Sequence, residues 1–576
     1  MDYKIIYENW ISSEYLCPEG VAELKKIADD ENAIKDAFGA ELEFGTAGMR
    51  GIIGYGTNRM NIYTVRRATK GLADFIKSKG KAAMQRGVAI SYDTRNKSEL
   101  FARAAAGVLL YNDIKVYVYP EPRPVPMLSY AVRNLDAFAG IMITASHNPK
   151  EYNGYKVYGE DGAQMSPEDT AEVVKYISDI TDYLSVKETT IDAIKSKNNP
   201  QSLVVIGKSF QNRYYDELVR LSLSKKAVRK VRKHIKIVYT PVHGSGYVPV
   251  MTILKKIGIK PVVVEEQVAP DGNFPTVVVP NPEFKETLSM GIALADKVNA
   301  DVVFGTDPDC DRLGVAIRNN EGEFETLTGN QTGILLLDYI LQRLKAEDKL
   351  PANGVVIKSF VSTGMAKLIC NGYNVELVET PVGFKFIGEK IKEYEKTGEK
   401  TFLFGFEESC GYLRGTHARD KDAVLAVALV GEMAVYYHEQ GKDLYDRLLE
   451  LCEKYGYFVE STISKEIDGL DFMEKIDAIM AKFRDPALKD MNGLTIRAVE
   501  DYETSLRTER KDGATSRLDI PKADVLKLFF DCGTLAVRPS GTEPKIKFYC
   551  SVSGETLEKA QQNLAQMKSA LDKMIG

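Results

Sequence analysis

The sequence predicts an α/β fold, with three successive layered α/β domains and a smaller C-terminal α+β domain around a central cleft. The first observation is length, because 576 residues exceed the roughly 250 residues at which single domains usually stop growing. The second is an alternation of short β-rich runs with helical stretches, which is typical of layered α/β units. The third is that this alternation restarts twice. We expect four domains, at residues 1–205, 206–322, 323–452 and 453–576.

The elements follow from local periodicity. Residues 1–40 carry apolar positions at helical spacing, which predicts a helical extension packed onto the protein through the single Trp10. Residues 98–110 predict a helix, and the polar tract at about 455–525 predicts mostly helix before two strands and a closing helix at 556–574. The predicted strands lie at 88–91, 116–119, 138–143, 235–239, 261–264, 302–305, 355–357, 375–378, 402–404, 534–537 and 546–549.

Composition excludes several classes of protein. The 76 basic and 81 acidic residues give a formal net charge of -5 without a long block of one sign, which argues against nucleic-acid and anionic-membrane partners. Seven scattered cysteines without a Cys-x-x-Cys pair, and only five histidines, make a disulfide framework or a structural zinc site unexpected. The first residues lack a signal-peptide core, so we expect a cytoplasmic protein without a membrane span; its oligomeric state is open.

A serine follows the predicted strand at 138–143, in the segment Thr-Ala-Ser-His-Asn-Pro at 144–149, here called the serine loop. In open α/β sheets, reactive groups gather beyond the carboxyl ends of the strands. Ser146 is therefore a candidate nucleophile, although a structural loop or a helix cap would also use a serine here. His147 and Asn148 could donate hydrogen bonds to phosphoryl oxygens.

Three aspartates, Asp307, Asp309 and Asp311, alternate in the segment at 307–312, here called the metal loop. A bent loop can converge their oxygens on one hard cation, and magnesium suits phosphoryl chemistry. An EF-hand is excluded because its sixth position is Arg312 instead of glycine. Arg312 could instead hold a phosphoryl oxygen beside the metal. An acidic surface loop is the alternative.

Two further polar segments follow predicted strands. Glu407, Glu408 and Ser409 belong to the sugar loop at 405–409, where carboxylates and a hydroxyl suit vicinal sugar hydroxyls. The phosphate loop at 538–545 combines a glycine turn with Arg538 and Lys545, a pattern that favours an anion. Ordinary turns remain the alternative for both. The Ser-Tyr-Asp-Thr-Arg segment at 91–95 predicts only a structural salt bridge.

The four loops occur in one order between Glu43 and Tyr549, and in this order they resemble the α-D-phosphohexomutase family, especially its longer phosphoglucomutase-like and phosphopentomutase-like members. The resemblance implies a phosphorylated Ser146 as phosphoryl donor and acceptor, with magnesium held by Ser146 and the three aspartates. The other implied site residues are His147 and Lys156 for catalysis; Arg50, Arg312, Thr380, Gly383, Glu407, Ser409 and Lys421 for substrate; and Arg538, Ser540, Gly541, Thr542 and Lys545 for phosphate.

The implied activity is a magnesium-dependent intramolecular phosphotransfer that interconverts glucose 1-phosphate and glucose 6-phosphate, with glucose 1,6-bisphosphate as intermediate and activator. The C-terminal domain is expected to close over the cleft as a lid. Phe406 and Cys410 alter the sugar loop, so a phosphopentomutase acting on ribose or deoxyribose 1-phosphate, or a phosphomannomutase, stays open. A phosphatase and a non-catalytic sugar-phosphate sensor are the alternatives outside the family. The general acid and base are undecided among His147, Lys156, His417 and Lys421.

Overall fold

The computed structural model describes residues 2–45, 48–189, 202–231, 235–467, 471–539 and 545–575. Helices and strands alternate along most of this range, which confirms the α/β class. The helices are Tyr3–Ser12, Pro18–Lys26, Glu31–Phe38, Ile62–Ser78, Lys81–Arg86, Ser98–Tyr111, Val125–Asn134, Pro167–Ser178, Lys208–Arg220, Lys225–Val231, Tyr247–Ile257, Lys285–Val298, Gly329–Ala346, Met365–Tyr373, Phe384–Thr397, Ala423–His438, Leu444–Tyr455, Phe472–Arg484 and Leu557–Ile575, with a 3-10 turn at Glu265–Gln267.

The strands, numbered along the chain, are β1 (Met49–Ile52), β2 (Val88–Tyr92), β3 (Val116–Val118), β4 (Ala139–Ile143), β5 (Tyr152–Tyr158), β6 (Leu203–Val205), β7 (Ile237–Thr240), β8 (Val262–Val263), β9 (Val302–Thr306), β10 (Leu313–Arg318), β11 (Phe324–Leu327), β12 (Gly354–Ser359), β13 (Glu376–Thr380), β14 (Thr401–Glu407), β15 (Gly411–Leu413), β16 (Tyr457–Glu466), β17 (Asp490–Met491), β18 (Leu494–Thr495), β19 (Ala498–Asp501), β20 (Leu506–Glu509), β21 (Thr515–Arg517), β22 (Leu526–Phe530), β23 (Gly533–Pro539) and β24 (Lys545–Gly554).

The predicted N-terminal extension is helical and packs through Trp10, as expected. Its indole is 4% exposed and lies edge-on to Phe38 and Tyr63, with ring centroids 5.5 and 5.7 Å away. Such aromatic contacts bury a large apolar area at one point. The extension is thereby joined to the helix Ile62–Ser78, which carries Tyr63.

The first sheet has the strand order β1-β5-β4-β2-β3-β6. Its strands β2, β3, β4 and β6 run parallel, whereas β5 returns antiparallel to β4 and pairs with β1. All residues of β2 and β4 are buried, as expected for parallel strands covered on both faces. The carboxyl ends of β2 and β4 therefore meet at one edge, where the serine loop begins.

The second sheet repeats this arrangement in the order β11-β10-β9-β7-β8. Strands β7, β8 and β9 are parallel, and β10 returns antiparallel to β9. The metal loop is the connection between β9 and β10. Three parallel strands, β12, β13 and β14, form the core of the third sheet.

The C-terminal part is an antiparallel sheet in the order β16-β24-β23-β22-β19-β20-β21, with the helix Leu557–Ile575 packed against β24 and β16. The prediction that residues 455–525 are mostly helical is wrong. In that tract the strands β16 to β21 outweigh the single described helix, Phe472–Arg484. All ten residues of β16 pair with β24, so partners outside the tract determine its structure.

The chain divides into two compact units. The first comprises Met1–Thr328, Gly388–Lys396 and Ser409–Gln440, and the second comprises Gly329–Ile387, Thr397–Glu408 and Gly441–Gly576. The four-domain division with boundaries at residues 205, 322 and 452 remains a proposal. No helix in the described ranges combines the length and apolar character needed to cross a membrane.

Candidate active site

Ser146 lies directly beyond β4 and points at the metal loop. Its hydroxyl donates a hydrogen bond of 2.8 Å to Oδ2 of Asp307, and Nδ1 of His147 lies 3.2 Å from the same Oγ. The residue is 3% exposed, and its backbone φ of 51° is in the left-handed region. The sequence did not show which residue would contact this serine; the fold supplies Asp307 from the second sheet.

The metal loop converges its aspartates as predicted. One carboxylate oxygen from each of Asp307, Asp309 and Asp311 lies within 4.8 Å of the others, and all three residues are buried. Oδ1 of Asp307 accepts the backbone N–H groups of Asp311 and Arg312, at 3.1 and 3.0 Å, which closes the loop. The loop is therefore bent instead of extended, and the bend brings the three carboxylates together.

The electrostatics of this cluster favour a bound cation. Burial raises the pKa of Asp307 well above its usual value, and the charges of Asp309 and Asp311 raise it further. Burial likewise raises the pKa of Asp311. The Oδ1 atoms of Asp309 and Asp311 are buried and accept no hydrogen bond from the residues that the structure describes. Oxygen donors of this kind, in this number, fit magnesium.

Two lysines contact the aspartates. Nζ of Lys156, on β5, lies 3.0 Å from Oδ2 of Asp309; burial disfavours the charged carboxyl, but this ammonium holds the Asp309 pKa below its usual value. Nζ of Lys421 lies 3.2 Å from Asp311 and 3.0 Å from Asp420. Asp420 was not among the predicted site residues. The only sign of it in the sequence is its position directly before Lys421.

The remaining candidates of the first unit surround the serine loop. Nη1 of Arg50 donates to Oδ1 of Asn148 at 2.8 Å, and Arg312 forms an ion pair with Glu283, which sequence reasoning missed. Burial, followed by the charges of Arg312 and Arg50, lowers the pKa of His147 to about 2. His147 is therefore neutral at physiological pH.

His417 is the fourth candidate for the general acid or base, and its contact lies at the start of the helix Ala423–His438. Its Nε2 lies 2.8 Å from Oδ2 of Asp422, the residue whose other oxygen caps the helix Ala423–His438. Oδ2 of Asp422 also accepts the hydroxyl of Tyr214 at 2.8 Å. These contacts give His417 a structural place at the start of a buried helix.

In the second unit, the two glutamates of the sugar loop have different partners. Oε1 of Glu407 accepts the backbone N–H of Gly383 at 2.7 Å, and Gly383 has a φ of 120° that side chains rarely adopt. Oε2 of Glu408 instead accepts the hydroxyls of Ser359 and Ser362, at 2.7 and 3.2 Å. Glu408 is thus fixed by two serines that sequence reasoning missed.

Two other predicted sugar-binding residues, Thr380 and Ser409, lie in different compact units. Thr380 is buried at the end of β13, where its hydroxyl lies 3.4 Å from the carbonyl oxygen of Lys358. Ser409 is half-buried in the turn after β14 and belongs to the first compact unit. Among the predicted sugar-binding residues, the hydrogen bond between Gly383 and Glu407 is a contact that the structure describes.

The phosphate loop is described only at its two ends. Arg538 lies near the end of β23 opposite Lys547 of β24, and Nζ of Lys545 lies 3.5 Å from the Glu466 carboxylate. Burial raises the pKa of Tyr549; the Glu408 and Glu407 carboxylates raise it further, while Arg538 opposes them. Arg538 and the two sugar-loop glutamates therefore act on the same phenol group in opposite directions. Ser540, Gly541 and Thr542 lie outside the described residues.

Comparison with known proteins assigns the chain to a family. Models of the phosphoglucomutase/phosphomannomutase alpha/beta/alpha domains I, II and III match residues 41–184, 212–322 and 328–455, and the model of the C-terminal domain matches residues 479–567. The chain belongs to the phosphoglucomutase/phosphomannomutase family. Its membership confirms the resemblance and makes it an enzyme of the isomerase class that transfers phosphoryl groups.

Relatives in this family match over nearly the whole chain. A phosphoglucomutase of Staphylococcus epidermidis (strain ATCC 12228 / FDA PCI 1200) is 37% identical over 550 residues, 93% of this chain and 97% of that protein. A phosphoglucomutase of Staphylococcus haemolyticus (strain JCSC1435) is 36% identical over 531 residues, 92% of this chain and 94% of that protein.

Solved structures of the family share the fold at low sequence identity. The open form of pp63/parafusin, a phosphoglucomutase from Paramecium, superimposes with a TM-score of 0.68 at 16% identity, covering 93% of this chain and 95% of that one. A phosphoglucomutase/phosphomannomutase family protein from Burkholderia thailandensis gives a TM-score of 0.64 at 18% identity, covering 92% and 97%.

Proposed function

We propose that the chain is a phosphoglucomutase that interconverts glucose 1-phosphate and glucose 6-phosphate through phospho-Ser146 and glucose 1,6-bisphosphate. The observation that carries the proposal is the buried Ser146 hydroxyl, 2.8 Å from the first of three clustered aspartates. Relatives of 36 and 37% identity that are named phosphoglucomutase support glucose as the sugar.

Magnesium is the metal that this donor set favours. Asp307, Asp309 and Asp311, together with the phosphoryl group on Ser146, would hold it. The buried Oδ1 atoms of Asp309 and Asp311 accept no hydrogen bond from the described residues, which fits this role. When bound, magnesium would neutralise charge on the transferring phosphoryl group.

The protein's own residues account for the rest of the transfer. The 6-hydroxyl of glucose 1-phosphate attacks the phosphorus atom of phospho-Ser146, and the bond from phosphorus to Ser146 Oγ breaks. The sugar hydroxyl loses its proton, and Oγ gains one. Nδ1 of His147 lies 3.2 Å from Oγ, within hydrogen-bond reach of a proton on that oxygen. The ammonium groups of Lys156 and Lys421 reach the aspartates and offset their charge. The bisphosphate then reorients and returns its other phosphoryl group to Ser146.

Transfer to a sugar instead of water requires a shielded phosphoserine. The 3% exposure of Ser146 supports such shielding. The remaining roles stay proposals that rest on the family resemblance. They are catalysis by His147 and Lys156; substrate binding by Arg50, Arg312, Thr380, Gly383, Glu407, Ser409 and Lys421; phosphate binding by Arg538, Ser540, Gly541, Thr542 and Lys545; lid closure by the C-terminal domain; and a cytoplasmic location.

The test compares kcat/KM for the 1-phosphates of glucose, mannose and ribose, with magnesium and a trace of the matching bisphosphate, while free phosphate is measured in parallel. We expect glucose 1-phosphate to be preferred and no phosphate to be released at the rate of turnover. Preference for the ribose or mannose ester would overturn the substrate assignment. Stoichiometric release of phosphate would overturn the mutase.

A further inference from the structure

A buried ion pair stands beside the serine loop without belonging to the predicted site. Asp93 and Arg95 follow β2, and Nε of Arg95 lies 3.4 Å from Oδ2 of Asp93. Both side chains are completely buried, which is costly for charged groups unless their hydrogen bonds are satisfied. The sequence predicted a structural salt bridge here, and the ion pair confirms it. Its other contacts point to a further role.

The Arg95 guanidinium donates hydrogen bonds to backbone carbonyl oxygens in and just after the serine loop. Nη2 donates to the carbonyl oxygens of Ser146, at 2.5 Å, and of Asn148. Nη1 donates to the carbonyl oxygens of Pro149 and Tyr152, at 2.8 and 3.1 Å. One planar group with five N–H donors can serve four carbonyls at once, whereas an ammonium group cannot reproduce that geometry.

Asp93 is connected to the backbone N–H of Ser146, in the peptide unit before the one that Arg95 binds. Its Oδ2 accepts the hydroxyl of Thr144 at 2.6 Å, and Oγ1 of Thr144 accepts the backbone N–H of Ser146 at 2.8 Å. The N–H and the C=O of Ser146 are therefore both connected to the Asp93–Arg95 pair. Oδ1 of Asp93 is held in turn by the hydroxyl of Ser98 at 2.6 Å.

This double connection explains the backbone of Ser146. A φ of 51° is uncommon for a residue with a side chain and persists only when the surroundings fix it. Turning Ser146 back to an ordinary conformation would break the bonds to Arg95 and Thr144 and move Oγ away from Asp307. A segment beyond β8 supports the pair from outside, because the ring of Phe274 lies 5.1 Å from the Arg95 guanidinium carbon.

We propose that Asp93 and Arg95 are positioning residues for phosphoryl transfer: they hold Ser146 in its left-handed conformation, so that Oγ faces Asp307. The inference rests on the proposed mutase function, since it concerns the rate at which Ser146 accepts and gives up a phosphoryl group. A purely structural salt bridge would affect stability without affecting that rate.

The chain offers a matched structural control. Arg67 is also a buried arginine of the first unit, but it donates to the carbonyl oxygen of Ile180 and to the side chains of Glu41 and Tyr183. We would compare Arg95→Lys and Arg95→Met with Arg67→Met. For each protein the measurements are Tm, kcat, KM and the rate at which glucose 1,6-bisphosphate phosphorylates Ser146, followed by mass spectrometry.

We expect both Arg95 variants to lose about 100-fold in kcat and in the phosphorylation rate, with KM within about threefold of the wild type, because a displaced reacting atom affects the chemical step. Arg67→Met should lose Tm with kcat within about threefold of the wild type. Equal losses of kcat in Arg95→Met and Arg67→Met at equal Tm would overturn the inference.

A second pair of variants tests the inference if the Arg95 variants do not fold. Thr144→Val keeps the side-chain shape but removes the hydroxyl that joins Asp93 to Ser146. Thr69→Val removes a buried hydroxyl bound to the Val65 carbonyl and to Tyr155. We expect about a tenfold lower phosphorylation rate for Thr144→Val alone. An unchanged rate would overturn the inference.

The same assays separate this inference from the proposed function. If the wild type turns over a pentose or mannose phosphate instead of glucose 1-phosphate, the substrate assignment fails, but the ratios between variants still test Arg95 with the preferred sugar. If the wild-type Ser146 accepts no phosphoryl group from any of the sugar bisphosphates, both proposals are overturned.

Discussion

The serine and metal loops of the first unit differ from the sugar-loop glutamates of the second in how their charges are paired. In the first unit, Lys156 and Lys421 contact Asp309 and Asp311, and buried carboxylate oxygens remain for a cation. In the second, Glu407 and Glu408 accept hydrogen bonds from neutral groups. Charges in a low-dielectric site act strongly on developing charge, whereas the hydrogen bonds to Glu407 and Glu408 hold these carboxylates in place for a ligand. We therefore expect the first region to determine kcat and the second to determine KM and selectivity.

The largest effect is expected for Ser146→Ala, which removes the group that carries the phosphoryl. The turnover number should fall at least about 1,000-fold, because no other route is provided for the transfer. Initial rates of glucose 6-phosphate formation measure this. Ser178→Ala removes an exposed hydroxyl bound within its own helix and serves as the control. Activity of Ser146→Ala above a tenth of the wild type would contradict the account.

Asp309→Asn comes next, since it removes one charge from the triad while keeping the shape. We expect kcat to fall by about 100-fold and the magnesium concentration for half-maximal rate to rise. Removing divalent ions from the wild type with a chelator should abolish turnover, and added magnesium should restore it. The control is Asp296→Asn, an exposed aspartate paired with Arg318. Full activity of metal-stripped protein would exclude the magnesium assignment.

The double variant Ser359→Ala/Ser362→Ala tests the second region. Without these hydroxyls Glu408 loses its described side-chain donors, and the sugar loop should lose its fixed orientation. We expect KM for the sugar phosphate to rise about tenfold with kcat within about threefold of the wild type. Ser464→Ala, an exposed serine of β16, is the matched control. A fall in kcat as large as that of Asp309→Asn would remove the distinction between the regions.

The smallest effect concerns pH. Burial, Asp309 and Asp311 raise the pKa of Asp307 in the folded protein. The folded state therefore retains a proton that the unfolded state releases, so this group's contribution to stability is present below its unfolded pKa and declines as pH rises through its folded pKa. Without magnesium, the free energy of unfolding of the wild type relative to Asp307→Asn should therefore fall as the pH rises above about 4, the usual pKa of an aspartate.

Denaturant unfolding at several pH values measures this difference. Saturating magnesium should remove the decline in the wild type, because a bound cation compensates the carboxylate charge and stabilises the folded state. A wild-type profile parallel to that of Asp307→Asn, with and without magnesium, would show that the pKa of Asp307 is not raised in the folded protein.

Sequence predicted the parts of the site that lie in short contiguous segments. The serine loop and metal loop each follow a buried parallel strand, so position and composition pointed to Ser146 and the aspartates together. Asp93 and Arg95 also end a strand, but their partners lie about fifty residues later along the chain. Only the adjacency of β2 and β4 in the sheet brings them together, and no local pattern encodes that adjacency.

The same reason explains the wrong helix prediction at residues 455–525. The strands β17 to β21 are only two to four residues long and lack a strong signal of their own. Pairing of β16 with β24 and of β19 with β22 stabilises the strands of this tract. Glu408 shows that position in the sequence does not reveal what a side chain contacts. Its position beside Glu407 suggested a sugar contact, whereas in the structure its carboxylate accepts hydrogen bonds from Ser359 and Ser362.

The most direct measurement follows one phosphoryl group on Ser146. Protein incubated with glucose 1,6-bisphosphate labelled in its phosphoryl groups is digested and the label is located by mass spectrometry, before and after a chase with unlabelled glucose 1-phosphate. We predict that the label resides on the peptide containing Ser146 and leaves it for sugar phosphate, without appearing as free phosphate, within one turnover time. Mutase turnover with no label on Ser146 at any time would contradict the account.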